Sequence, residues 1–158
     1  PHLQNGVPRQ RGRSFRHPTP LLPSAPNMKA SCPSCQTSYN IDDKRIYVMG
    51  HSMGGAGAIY LGSKYPNIFA AVGAEAPAAF WQTKKETLQS LANAKVPVMI
   101  VHGDIDEVVP VANSHAWVDL MKELKMNYEF IEQPGITHGP VIQSGLKPIY
   151  EFFAKHKK

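Results

Sequence analysis

The residues best equipped for chemistry lie in Gly50-His51-Ser52-Met53-Gly54, with Gly55 following. This is a G-x-S-x-G pattern set between an apolar run, residues 45–49, and an Ala- and Gly-rich segment. A sharp strand-to-helix turn lifts a serine hydroxyl above a sheet and places it at a helix N-terminus. Backbone N–H groups there can stabilise an oxyanion, and the Met53 N–H is the first candidate. Small residues permit such a turn, because larger side chains would collide with the adjoining strand or helix. Ser52 could instead cap the helix, but the strand-turn-helix context favours a nucleophile. A nucleophilic serine needs a base, and the base needs an orienting acid. Residues 102–110, H-G-D-I-D-E-V-V-P, offer Asp104 and Asp106 as acids, and His138 in I-T-H-G is the candidate base. Asp104 has a competing role as a turn residue that binds backbone amides. Of the other histidines, His51 lies inside the turn and His102 ends an apolar run. Both are expected to support the turn or the mouth of the site, with His51 within reach of substrate. His115 falls on a predicted helix surface, and His2, His17 and His156 are near the ends of the chain.

The elements needed to position these residues are readable from residue 42 onward. Residues 45–49 predict a buried strand, and residues 52–65 a helix that Pro66 stops. Residues 69–74 and 96–102 predict two further buried strands, the latter with its proline near the start, where a missing donor is tolerable. Pro110 opens a helix in which Trp117, Leu120, Met121 and Leu124 recur at helical spacing. Residues 128–131 predict a fourth strand and residues 146–153 a closing helix with Ile149, Phe152 and Phe153 on one side. Strands alternating with helices imply a mostly parallel sheet with flanking helices. Ligands of such sheets bind beyond the carboxyl ends of the strands, and each candidate residue follows a strand. Phe80 and Trp81, after the second strand, are candidates to line an acyl pocket.

The order Ser52, then Asp106, then His138 is the chain order of the α/β-hydrolase triad. The stretches 45–55, 101–110 and 135–139 together resemble the second half of an α/β-hydrolase. They are most similar to bacterial esterases related to feruloyl esterases, polyhydroxybutyrate depolymerases and dienelactone hydrolases. The resemblance implies ester hydrolysis through an acyl-enzyme, on small or aryl esters, with no metal or organic cofactor. It also assigns the triad acid to the second aspartate of the H-G-x-x-D-x-x-V-P segment, Asp106. A thioesterase or an oligopeptidase would use the same triad. Such hydrolases carry several strands before the nucleophile strand, and one of their loops, often H-G-G-G or H-G-x-G, supplies a second oxyanion donor. No such motif precedes residue 45 here. The start of the chain therefore reads as truncated or incorrectly read, and the fold as a partial α/β-hydrolase. Loss of one oxyanion donor costs on the order of 3 kcal/mol of barrier. A weak or inactive fragment acting as an associating module is the resulting alternative. The uncovered edge of the nucleophile strand would invite self-association.

The 158 residues suit one compact domain, with residues 1–41 set apart from a catalytic region at 42–158. All five basic residues before residue 42 (Arg9, Arg11, Arg13, Arg16 and Lys29) lack an acidic counterpart. The remaining 12 Lys and Arg balance 12 Asp and Glu, so the net charge of +5 belongs to the first segment. Seven of the 14 prolines also fall there, which prevents regular structure and predicts disorder. An arginine-rich arm touching phosphates would be the only electrostatic basis for a nucleic-acid partner, and the lack of interleaved aromatics apart from Phe15 argues against one. Cys32 and Cys35 form a lone C-x-x-C without the second pair or histidines of a zinc site. No apolar run approaches the roughly 18–20 residues of a membrane span, and no signal peptide is recognisable. The expectations are therefore an ester substrate, no membrane partner and a cytoplasmic location.

Overall fold

A computed structural model describes residues 41–78 and 84–158. Phe80 and Trp81, the arginine-rich segment and the C-x-x-C lie outside the described residues. Four strands form a parallel sheet in sequential order: β1 (Tyr47–His51), β2 (Ala71–Glu75), β3 (Val98–Gly103) and β4 (Tyr128–Gln133). Helices follow each strand: α1 (Met53–Lys64), α2 (Lys84–Asn93), α3 (Ala112–Glu123) and α4 (Val141–Lys155). This is the mostly parallel, helix-flanked architecture expected from the sequence.

The two-residue period of the strands divides the core into two layers. Val72 and Ala74 of β2 and Val98 and Ile100 of β3 face one side. There they pack with Ala58 and Ile59 of α1, Leu88 and Leu91 of α2, and Trp117 and Met121 of α3. Ala71 of β2 and Met99 and Val101 of β3 face the other side, against Val141, Ile149, Phe152 and Phe153 of α4. Right-handed crossovers between successive neighbouring strands place all three connecting helices on one face. Among the described helices only α4, which continues past the last strand, reaches the opposite face. Consequently β2 and β3 are fully buried and read as continuous apolar runs, whereas β1 and β4 are half-buried.

Several boundaries differ from the sequence reading for identifiable reasons. Strand β2 extends to Glu75, a charged residue type that ended the apolar run one position early. Helix α4 begins at Val141, next to Pro140 at its N-cap, because Val141 is fully buried. The polar and glycine residues at 143–145 hid that first turn. Helix α2 was not anticipated; its apolar content is essentially Leu88 and Leu91, too little for a visible period. Helix α4 also tolerates Pro148. A proline has no N–H for the carbonyl four residues earlier, and the Ser144 carbonyl instead accepts the Gln133 side-chain N–H at 3.3 Å. The Ser144 hydroxyl donates to Gln133 Oε1 at 2.5 Å. The end of β4 is thereby tied to the start of α4, on either side of the loop carrying His138.

That loop crosses the end of β3 at Gly103. A Cβ there would overlap the Ile136 carbonyl, so only glycine lets the backbone pass. Gly103→Val is expected to destabilise the fold by about 2 kcal/mol through overpacking. Urea unfolding followed by circular dichroism, compared with the unsubstituted chain, measures that loss.

Candidate active site

Ser52 occupies the turn between β1 and α1 with φ 56° and ψ −120°. A non-glycine residue in this region is strained unless its surroundings hold it there. The surroundings are backbone hydrogen bonds. Ser52 N–H donates to the Glu75 carbonyl at 2.8 Å, extending the β1–β2 pairing, and the Ser52 carbonyl accepts from Gly55, Ala56 and Ala78. A Cβ at Gly50 would overlap the Gly54 carbonyl, and one at Gly55 would press on the Glu75 carbonyl at 2.9 Å. Gly54, the second glycine of the sequence pattern, has open space around it. The steric requirement thus falls on Gly50 and Gly55.

Ser52 stands at the N-cap position of α1 but makes no side-chain capping bond, so the cap reading does not describe its hydroxyl. The first amides of α1 bonded within the helix are those of Gly55 and Ala56. The Met53 N–H lies ahead of them, among the amides a helix leaves without internal acceptors. Its side chain is 63% exposed.

Asp106 and His138 meet in loops that follow β3 and β4. His138 Nδ1–H donates to Asp106 Oδ2 at 2.7 Å. Asp106 Oδ1 accepts the amides of Val108 at 2.9 Å and Val109 at 2.8 Å. Burial works to raise the Asp106 pKa. The hydrogen bonds from His138 and from the Val109 and Val108 amides outweigh it, and the carboxyl titrates below its ordinary value. An ionised Asp106 that occupies Nδ1–H leaves His138 Nε2 with a free lone pair, as a general base requires.

The other candidates occupy supporting places. Asp104 is exposed, and its Oδ1 accepts the Gly135 N–H at 2.7 Å. Its partner lies in the loop carrying His138 rather than in its own turn. His51 Nε2–H donates to the His138 carbonyl at 2.9 Å, and the two rings lie 4.4 Å apart at 50°. Its N–H is therefore committed to holding the His138 loop beside the Ser52 turn. Burial, the largest influence, shifts the His51 pKa downward. His102 is fully buried behind Asp106, in keeping with a supporting role. His115 sits at the surface and pairs with Glu132 at 2.7 Å. Among the described residues no cluster of three or more His, Cys, Asp or Glu could hold a metal ion. No described helix is long and apolar enough to cross a membrane.

Glu75 was not singled out by sequence. It ends β2, is 2% exposed, and its Oε1 has no hydrogen-bond partner among the described residues. The absent side chain of Gly145 on α4 makes room for it, since a Cβ there would lie 2.6 Å from Oε1. Burial pushes its pKa up to about 7.

The parallel sheet, the strand-turn-helix serine and the Asp–His pair beyond the strand ends define an α/β-hydrolase. Residues 27–157 match the phospholipase/carboxylesterase family, and the chain belongs to that family. It is 36% identical over 101 residues to cutinase 1 of Thermobifida cellulosilytica, covering 62% of this chain and 34% of the cutinase. It is 38% identical over 76 residues to a bis(hydroxyethyl) terephthalate hydrolase of Streptomyces coelicolor, covering 48% and 22%. The chain thus spans about a third or less of the length of these relatives. A thermostable esterase shares the fold with TM-score 0.67 and 23% identity, over 83% of this chain and 36% of that one.

The buried Glu75 gives the fold a pH dependence of determined sign. Its folded pKa of about 7 lies above the ordinary glutamate value of 4.5. The folded state therefore binds more protons between these values, and stability falls as pH rises through that window. The contribution is at most about 3 kcal/mol. Glu75→Gln is expected to flatten this slope, measured as the difference in urea-unfolding free energy between pH 5 and pH 8.

Proposed function

We propose that this chain hydrolyses carboxylic esters through an acyl-enzyme, with Ser52, His138 and Asp106 as the catalytic triad. The observation that carries the reading is the 2.7 Å His138–Asp106 hydrogen bond, in loops at the same end of the sheet as the uncapped Ser52. Ser52 Oγ attacks the ester carbonyl while His138 Nε2 takes its proton. The carbonyl oxygen becomes an oxyanion that the Met53 N–H stabilises. Collapse of the tetrahedral intermediate breaks the ester C–O bond, and His138 returns the proton to the departing alkoxide. Water, deprotonated by the same histidine, then releases the acid from Ser52. Asp106 holds the ring in its Nδ1–H tautomer and stabilises the imidazolium formed in each half-reaction. No cofactor enters these steps.

Small or aryl esters are the proposed substrates. Met53, Ile105, Val108 and Ile142 are large apolar residues left exposed, and each lies within a few residues of Ser52, Asp106 or His138. Exposed apolar side chains near these residues in sequence suit an apolar acyl or alcohol portion. The name of the Streptomyces relative, a hydrolase of a terephthalate ester, supports the aryl class.

The outer edge of β1 supports a second reading. Among the described residues β1 pairs only with β2, and an unpaired strand edge is a template for association. In that reading the chain is an associating module with weak or no activity.

Hydrolysis of p-nitrophenyl acetate and butyrate, with Ser52→Ala prepared identically, separates the two. Turnover that falls at least about 1,000-fold in the variant is the expected result. Equal rates in both proteins, or none in either with a folded circular dichroism spectrum, would reject the esterase reading.

A further inference from the structure

His102 is fully buried one strand position before Gly103, where its ring touches three groups. Its Nε2 lies 2.8 Å from the Val109 carbonyl and 3.2 Å from Asp106 Oδ2. Both oxygens can only accept, so Nε2 carries the hydrogen and donates to the Val109 carbonyl. In the neutral ring Nδ1 is then a bare acceptor. Ser114 Oγ lies 2.6 Å from it, and Ser114 is itself fully buried in the first turn of α3. The serine hydroxyl rotates to donate to Nδ1, which satisfies the second nitrogen of the buried Nε2–H ring and holds its orientation.

We propose that His102 and Ser114 are positioning residues for the triad, Ser114 holding the His102 ring whose Nε2–H braces the Asp106 turn. The proposal rests on Asp106 being the triad acid. Val109 is the hinge of the arrangement. Its carbonyl takes the His102 N–H, while its own N–H binds Asp106 Oδ1. A ring hydrogen on Nε2 therefore fixes the peptide that fixes the carboxylate, and the same hydrogen faces the oxygen that His138 uses. With the other tautomer, a lone pair would face both the Val109 carbonyl and Asp106 Oδ2. That repulsion would turn the carboxylate away from His138. The chain of contacts runs from α3 through β3 to the loop after β4, linking three elements that are far apart in sequence.

Two measurements test this. Nitrogen-15 chemical shifts of His102 in the intact chain near neutral pH should report the Nε2–H tautomer, retained in Ser114→Ala because the Val109 and Asp106 oxygens set it. This reading does not depend on activity. An Nδ1–H ring in the unsubstituted protein would overturn the bracing, and an unchanged kcat in Ser114→Ala would remove Ser114 from it. The second measurement uses p-nitrophenyl butyrate. A glutamine side-chain nitrogen can occupy the place of Nε2, whereas an asparagine nitrogen reaches only as far as Nδ1. His102→Asn is expected to lose about 100-fold in kcat with KM little changed. His102→Gln should recover most of that loss, and Ser114→Thr should exceed Ser114→Ala. Equal losses in the Gln and Asn variants, both folded with matching melting temperatures, would assign His102 to packing alone and overturn the positioning role. Absence of turnover in the unsubstituted chain would count against the esterase reading, and the tautomer measurement would still decide the bracing by His102.

Discussion

Ser52 is held with φ 56° in a backbone conformation that side chains disfavour, at a cost on the order of 1–3 kcal/mol. Everything around the site is arranged so that this conformation persists. The register of β1 on β2 brings the Glu75 carbonyl to the Ser52 N–H, and the chain leaving β2 returns the Ala78 N–H to the Ser52 carbonyl. Helix α1 must begin at once, which brings Gly54 and Gly55 back over Gly50 and the end of β2. The two positions where a Cβ cannot fit, Gly50 and Gly55, are those where this reversal is tightest. In return, the serine hydroxyl is not spent on capping the helix it precedes.

The loops after β3 and β4 solve a different problem, which is to hold two side chains against each other without a helix or strand beneath them. They do so by mutual hydrogen bonding. Asp104 reaches the Gly135 amide, His51 reaches the His138 carbonyl, and Gly103 lets Ile136 cross close above the sheet. The Gln133–Ser144 pair closes the base of the β4–α4 loop. Parallel strand order makes this convergence possible, because every strand delivers its following loop to the same end.

The sequence made the sheet and the triad candidates legible because each left a local mark. Apolar runs marked the strands, G-x-S-x-G the turn, and Asp106 and His138 each followed a strand. What escaped depended on partners remote in sequence. Ser114 looks like any serine on a helix until α3 packs behind His102. Glu75 ended an apolar run and so appeared to lie outside the strand, yet the empty side chain of Gly145, on a different helix, makes its burial possible. The large apolar residues that α2 buries among those described are Leu88 and Leu91, and two residues make no period. The start of α4 was hidden for the same reason, since Val141 is one buried residue ahead of a polar turn.

The site region also contains a second buried acid, whose surroundings differ from those of Asp106. Glu75 ends the strand beside the Ser52 turn, in register with His51. Proximity to the serine is therefore insufficient to select the acid. Asp106 meets two backbone amides and an imidazole N–H, which stabilise its charge against the effect of burial. Glu75 faces α4 at Gly145, where burial is the only influence on its titration and favours the neutral acid. Two carboxyls at neighbouring strand ends are thus driven in opposite directions by the number of donors each meets. The one left charged is the one hydrogen-bonded to a histidine, and only a charged carboxylate can stabilise the imidazolium that proton transfer from Ser52 would create.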